Sequence, residues 1–360
     1  MEETTLSYDY FYSLSPDAPE EDCQTLKLPY MEIFVSVLYI AIFLVGTAGN
    51  GLLIGILIFK QHVWRLTDTF IVNLAISDFS FLITLPFWVD KELASGLWRS
   101  GSVLCKGSSY IISVNMYCSI FLLTWMSGDR YLTIMHPSMA RKIRTKHYPI
   151  FVCISVWIVS CLLGLPTLQS RELRRYNNNT YCVDKETLYN NWIGSLLLLI
   201  LAFFIPLFSI LTLHYSIIKK LYVHYQKFGK HDKKLRKSIK IVFMVAVVFL
   251  FSWTPFNIFK ILALTSSIQE LKQPFCLHYK IAYLGMELGG LLAFTNSCTN
   301  PFIYYFFDDC IRRAMMQSIL PCRKAKRPGS SFASLDTCLR SSESSFLPEN
   351  VVLRKRRKSV

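Results

Sequence analysis

Seven long apolar runs dominate this 360-residue chain, and they decide what it can fold into. They are Ile33–Phe59, Phe70–Val89, Val103–Met135, Tyr148–Leu168, Ile193–Ile218, Ile239–Leu264 and Ile281–Phe307. Crossing a bilayer takes roughly 20 mostly apolar residues, and each run meets that length. One run alone reads equally well as a buried core helix. Seven, separated by short polar loops, leave that reading little weight. Backbone in hydrocarbon must satisfy its own hydrogen bonds, so each run is expected to be a helix. A membrane β-barrel would need alternating segments of about ten residues, and the chain has none. Composition agrees, since only 18% of residues are charged against about 25% in an ordinary soluble domain.

The fold expected is an all-α membrane protein, a seven-transmembrane helix bundle over residues 31–307 with spans numbered in chain order. Residues 1–30 form an acidic arm. Residues 308–320 form a short amphipathic eighth helix on the cytoplasmic side. Residues 321–360, rich in Ser, Lys and Arg, have the composition of a disordered tail.

Lys and Arg set the orientation. One set of loops holds Lys60, Arg65, Arg141, Lys142, Arg144 and Lys146, the basic run from Lys219 to Lys240, and the tail after Arg312. The opposite set holds mainly Arg99, Lys106, Arg171, Arg174, Arg175 and Lys185. The first set is expected in the cytoplasm, which places the N-terminus outside a plasma membrane. Most of the net charge of +15 is this asymmetry. It is not the basic face of a soluble domain that nucleic acid requires. Residues 1–30 lack the basic start and apolar centre of a signal peptide, so span one is expected to act as its own insertion signal.

Eleven cysteines leave at least one unpaired or lipidated. Cys23, Cys105, Cys182 and Cys276 fall on or near the oxidising outer face. Pairing Cys105 with Cys182 would tie the loop between spans four and five across the bundle mouth. Cys23 and Cys276 would then tie the N-terminal arm to the loop before span seven. Four cysteines allow three connectivities, and sequence does not choose among them. Cys322 follows the amphipathic stretch and is a palmitoylation candidate, or a free cytosolic thiol. No Cys/His spacing resembles a zinc site, and no nucleophile–base constellation points to an enzyme.

Ionisable groups inside a span are functional hypotheses by default. Asp78 sits midway along span two, with Asn50, Asn115, Ser119, Asn296, Ser297 and Asn300 at comparable depths in other spans. Such a set reads equally as a cation or water site and as inter-helix hydrogen-bond glue. Asp129-Arg130-Tyr131 closes the cytoplasmic end of span three. Pro86, Pro166, Pro206, Pro255 and Pro301 lie inside spans, where each removes a backbone hydrogen bond. Phe249 and Trp253 flank the bend at Pro255, and Tyr304 the one at Pro301. Two kinks with large aromatics beside them suggest a two-state element.

These residues resemble the rhodopsin-like (class A) G protein-coupled receptors over nearly the whole chain. The resemblance rests on Gly49-Asn50, Asn73-Leu74-Ala75-Ile76-Ser77-Asp78, Asp129-Arg130-Tyr131, Trp157, Pro206, Phe251-Ser252-Trp253-Thr254-Pro255 and Asn300-Pro301-Phe302-Ile303-Tyr304. Thr84-Leu85-Pro86, Trp98, the stretch Asp129–Pro137 and the Cys23/Cys276 pair point to the chemokine and chemoattractant branch. The resemblance implies that an agonist presses toward Trp253, span six swings outward, and Arg130 is released to a Gi-class heterotrimeric G protein. It also implies a sodium ion as allosteric ligand at Asp78, Asn115, Ser119, Asn296, Ser297 and Asn300. The activation switch would comprise Asp129, Arg130, Tyr131, Phe249, Trp253, Pro255, Pro301 and Tyr304. There are departures from the family pattern. Gly290 stands where many chemokine receptors carry an acid, with Glu287 nearly a turn outward. His214 stands where an activation-network Tyr is usual, with Tyr215 next to it. Ser252 replaces a usual Cys, and Gly128 precedes the Asp129 motif.

The arm over residues 1–30 holds Glu2, Glu3, Asp9, Asp17, Glu20, Glu21 and Asp22 against Lys27. Tyr8, Tyr10 and Tyr12 beside Asp9 suit sulfation. Such an arm attracts a cationic ligand, so the expected agonist is a small basic secreted peptide or chemokine-like protein. The alternative is a merely solubilising arm. In the bundle mouth, Tyr39, Trp88, Lys106, Tyr110, Glu287 and residues of the second outer loop are the expected ligand contacts. Asn178-Asn179-Thr180 is a glycosylation sequon with Asn178 as acceptor. Tail serines from Ser330 to Ser345, once phosphorylated, would engage arrestin. The terminal run Arg354–Val360 suits phosphorylation at Ser359 and capture by a 14-3-3 protein, with a membrane-binding basic tail as the plain alternative. The rival functional classes are a transporter, which would need repeats or broken helices, and a scavenger receptor that binds ligand without G protein coupling.

Overall fold

The computed structural model describes residues 30–59, 66–145, 147–176, 178–185, 192–228, 233–266 and 276–319. Its helices fall where the apolar runs do. Span one is Met31–Ile58, span three Gly101–Met135, span four Tyr148–Ser170, span six Lys233–Ser266 and span seven Cys276–Phe307. Spans six and seven begin several residues before their apolar runs, because a helix does not stop at the membrane surface. Residues 233–240, rich in Lys and Arg, extend span six beyond its apolar run.

Among the described residues, six helices are long and apolar enough to cross a membrane by length and composition. Span seven is their equal in length at 32 residues. Its polar residues, Glu287, Thr295, Asn296, Ser297, Thr299 and Asn300, lower its hydropathy. It packs between spans one and six and completes a seven-transmembrane bundle.

Spans two and five are interrupted, each at a proline. Span two breaks into Leu66–Leu82 and Leu85–Leu93. The Thr84 hydroxyl donates to the Phe81 carbonyl at 2.7 Å, as does the Thr84 amide at 2.9 Å. Pro86 then occupies the second position of the new helix, where its missing N–H costs nothing. Pro86 was expected inside a continuous span, and it instead starts a helix. Span five runs Trp192–Leu199, a wide π turn over Ile200–Phe204, and Ile205–Phe228. Pro206 cannot donate one turn back, and the wide turn sits just before it.

The bundle has a clear inside. In its most apolar window span three is 61% buried, whereas spans one and four are 28% buried and present their outer faces to lipid. The interior is packed by Leu53, Phe70, Leu74, Ile120, Leu122, Phe203, Phe249, Trp253 and Tyr304. Glycines bring spans six and seven together. A Cβ on Gly289 would lie 2.8 Å from the backbone N and Cα of Phe256, and one on Gly285 would overlap the Phe259 ring.

Between spans four and five the chain forms an antiparallel hairpin, β1 Arg171–Tyr176 with β2 Asn179–Asp184, in the register Leu173 opposite Cys182. Asn178 takes the left-handed turn conformation at φ 64°, which Asn tolerates. A short helix, Pro137–Ile143, joins spans three and four, and the helix Asp309–Ile319 follows span seven. The Asp308 carboxylate accepts the Cys310 and Ile311 amides at 2.9 and 3.1 Å, capping that last helix.

Candidate functional site

The bundle centre is polar. Asp78 is fully buried and accepts hydrogen bonds from Asn115 Nδ2 at 3.1 Å, Ser297 Oγ at 2.8 Å and Asn300 Nδ2 at 2.7 Å. Spans two, three and seven thus converge on one carboxylate. Asn50 joins span one to the set by donating to the Ser297 carbonyl at 2.7 Å. Ser77, not anticipated, accepts from Asn115 at 3.1 Å. Three oxygens on spans three and seven are buried without a hydrogen-bond partner among the described residues: Ser119 Oγ, Asn296 Oδ1 and Asn300 Oδ1. Desolvated oxygens left unpaired are costly, so this centre has room in its bonding for a further cation or water.

Span six carries an aromatic stack. The Phe249 and Trp253 rings lie 6.1 Å apart, and Trp253 meets Phe256 edge-on at 6.3 Å. Phe203, within the wide turn of span five, lies 6.3 Å from Phe249. The Trp253 Nε1–H has no partner among the described residues. Pro255 lies inside span six and Pro301 inside span seven. Tyr304, one turn after Pro301, is buried, and its hydroxyl has no partner among the described residues.

At the Asp129 end, Asp129 and Arg130 are both buried. Arg130 Nη2 donates to Thr67 Oγ1 at 2.7 Å, while its Nη1 stands 3.9 Å from Asp129 Oδ2. A closer partner for Asp129 is Arg144, whose Nε lies 2.9 Å from Oδ1. Thr67 and Arg144 were not singled out from the sequence, because Arg144 looked like one loop cation among several. Tyr131 is half-buried and packs on Ile134, Ile217 and Ile239, joining spans three, five and six. Lys220 Nζ donates to the Ile134 carbonyl at 2.6 Å. The question of His214 or Tyr215 has a geometric answer. His214 is buried, bonded through Nδ1 to the Ile210 carbonyl at 2.9 Å and 5.5 Å from the Phe243 ring. Tyr215 is 67% exposed on the lipid-facing side. Gly128 has open space where a Cβ would be.

At the opposite end, Cys105 and Cys182 form a disulfide that fastens β2 to the top of span three. The Trp98 amide donates to the Thr180 carbonyl at 2.8 Å, so the first outer loop also holds the hairpin. Trp88 packs against Trp98 at 5.5 Å, and Lys91 Nζ lies 5.6 Å from the Trp88 ring. Tyr39 is buried against Phe294. Glu287 is within electrostatic reach of Glu92, Glu32 and Lys91. These three acids, from spans one, two and seven, were not foreseen as a group, since nothing in linear spacing links them. Lys106 is half-buried at the top of span three. Tyr110 turns away from the mouth. Its hydroxyl donates to the Cys161 carbonyl of span four at 3.1 Å, and its ring packs over Gly164. Asn178 stands exposed at the hairpin tip.

Tyr8, Tyr10, Tyr12, Cys23, Cys322 and Ser359 lie outside the described residues. Cys276 opens span seven, but its side chain is not described.

Comparison with known proteins agrees with this architecture. A family model described as "7 transmembrane receptor (rhodopsin family)" matches residues 49–304, well over half of the chain. The chain is 47% identical over 355 residues to mouse "G-protein coupled receptor 15", covering 99% of this chain and 98% of that one. It is 36% identical over 315 residues to the "Apelin receptor" of Xenopus tropicalis, covering 85% of each. Mouse "Probable G-protein coupled receptor 25" is 33% identical over 344 residues, covering 95% of this chain and 93% of that one. Seven spans, a buried Asp78 cluster, a disulfide-tied hairpin and these matches lead to one conclusion: the chain belongs to the rhodopsin family of seven-transmembrane receptors, multi-pass membrane proteins that are not enzymes.

Proposed function

We propose that this receptor binds a basic secreted peptide or chemokine-like protein outside the cell and signals through Gi-class heterotrimeric G proteins and arrestin. The observation that carries the reading is Arg130. It is a buried guanidinium at the basic end of the bundle, its Nη2 2.7 Å from Thr67 Oγ1 and its Nη1 3.9 Å from Asp129 Oδ2. A guanidinium at that end is the cation that a partner entering from the cytoplasm would engage. Outward movement of span six would separate Ile239 from Ile134 and Ile217 and open that entry.

The acids at the other end support a cationic agonist. Glu32 and Glu92 lie within electrostatic reach of Glu287, with Lys91 paired to Glu92 at 3.1 Å, and the acidic arm would add negative charge there. Tyr39, Trp88, Lys106 and Glu287 line or border this mouth, and Tyr110 is left as a packing residue against span four.

Sodium fits the centre. Asp78 supplies the charge, and the unpaired oxygens of Ser119, Asn296 and Asn300 supply ligands of the hard type that sodium takes. The ion would favour the closed bundle by neutralising Asp78. Sulfation of Tyr8, Tyr10 and Tyr12, glycosylation of Asn178, a Cys23–Cys276 bridge, palmitoylation of Cys322 and 14-3-3 capture of phosphorylated Ser359 complete the proposal from sequence.

The test is inhibition of cyclic AMP in cells expressing the chain and challenged with fractionated basic secreted peptides. The expected response disappears with pertussis toxin and in Arg130→Ala. Surface binding of a peptide with no response through any G protein would refute coupling and favour a scavenger receptor.

A further inference from the structure

Asp129 sits in a buried position with two guanidinium neighbours, and the nearer is not the adjacent residue. Arg144 Nε lies 2.9 Å from Asp129 Oδ1, whereas Arg130 Nη1 lies 3.9 Å from Oδ2 and turns its other nitrogen to Thr67. The Arg144 side chain is only 14% exposed, so this is not a solvated surface pair. Its backbone is fixed as well. The Arg144 amide donates to the Ala140 carbonyl at 2.9 Å, closing the short helix that Pro137 opens. Tyr148, at the start of span four, is within electrostatic reach of both members of the pair.

A carboxylate stripped of its counter-ion in such a site is strongly destabilised. If Arg130 were the only cation at Asp129, its departure toward a G protein would leave that carboxylate uncompensated. Arg144 removes this obstacle. We infer that Arg144 is the standing counter-ion of Asp129 and acts as a positioning residue: by holding the carboxylate, it frees Arg130 to leave Thr67 and engage the G protein. The inference rests on the reading of Arg130 as the docking cation. It implies that removing Arg144 makes docking harder, since Asp129 then recaptures Arg130.

The test measures binding of nucleotide-stripped Gi heterotrimer to full-length receptor in lipid nanodiscs, together with thermal stability. Arg144→Met is expected to dock at least about tenfold more weakly than wild type, and Arg144→Lys to recover most of the loss. With Asp129→Asn no counter-ion is needed, so adding Arg144→Met to that variant is expected to change docking by less than about twofold. A purely structural contact would lower stability in Arg144→Met and leave docking by the folded fraction unchanged, which overturns the inference. So does an equal loss in the Asp129→Asn background, which would place Arg144 in direct contact with the G protein. If Arg144→Met fails to fold but the double variant folds, the unpaired carboxylate is the cause and the inference stands. If both fail to fold, Arg144 is needed regardless of Asp129 and the inference falls. Docking by Arg130→Ala equal to wild type would instead refute the docking reading itself.

Discussion

Asp78 shows how a single residue organises the interior. Three neutral donors from two other spans satisfy part of its bonding, and spans three and seven also carry buried oxygens without a partner among the described residues. A ligand that binds only the folded state raises its stability. Wild-type receptor should therefore melt at a higher temperature in sodium chloride than in equal choline chloride, and Asp78→Asn should melt equally in both. A sodium effect surviving in Asp78→Asn would place the ion elsewhere. His214 and Tyr215 make a second residue-scale contrast. His214 packs inward on Phe243, so His214→Ala should cost about 1–3 kcal/mol in unfolding experiments. Tyr215 faces lipid, and Tyr215→Ala should stay within about 0.5 kcal/mol of wild type. Sequence identified Asp78 and its partners because polar residues in apolar spans stand out. It left the His214 question open because adjacent helical positions differ by about 100° of rotation, too little for apolar pattern alone to assign facing. Tyr110 illustrates the same limit, since its depth was legible but its turn toward Cys161 depends on the space over Gly164.

Helices report themselves through hydropathy, and their interruptions do not. The wide turn before Pro206 and the break at Thr84 depend on local backbone bonding that a proline permits without dictating. The hairpin was not foreseen either. Its sequence, Arg171 to Asp184, is charged and rich in Asn, with no clean alternation. Covalent and backbone ties from Cys105 and Trp98 hold it in place. Removing the tie with Cys105→Ser should cost about 2–5 kcal/mol of stability, read as loss of cell-surface receptor and a lower Tm. The contact of spans six and seven has its own signature. Gly289→Ala would drive a methyl group into the Phe256 backbone, whereas a Cβ on Gly290 meets nothing nearer than 3.9 Å. Overpacking against rigid backbone costs about 1–3 kcal/mol, so Gly289→Ala should lower the melting temperature and Gly290→Ala should not. Equal effects would mean that span six yields freely at Phe256.

Across the bundle, Glu32 and Glu92 lie within electrostatic reach of Glu287 at one end, Asp78 stands among polar partners at the centre, and Arg130 and Arg144 flank Asp129 at the other end. The seven spans and the excess of cations in one set of loops were legible because lipid forces long apolar runs and biases Lys and Arg to one side; the grouping of Glu32, Glu92 and Glu287 was not. The pairing of Arg144 with Asp129 was not, since it joins a loop to a span through tertiary structure alone. The central claim is that movement at one end of this bundle is converted into release of Arg130 at the other. Guanine-nucleotide exchange on purified Gi heterotrimer, driven by reconstituted receptor and an active basic peptide fraction, tests it most directly. The account predicts exchange that wild type accelerates and Arg130→Ala does not, with peptide binding intact in both. Peptide binding to wild type without any acceleration of exchange would contradict it.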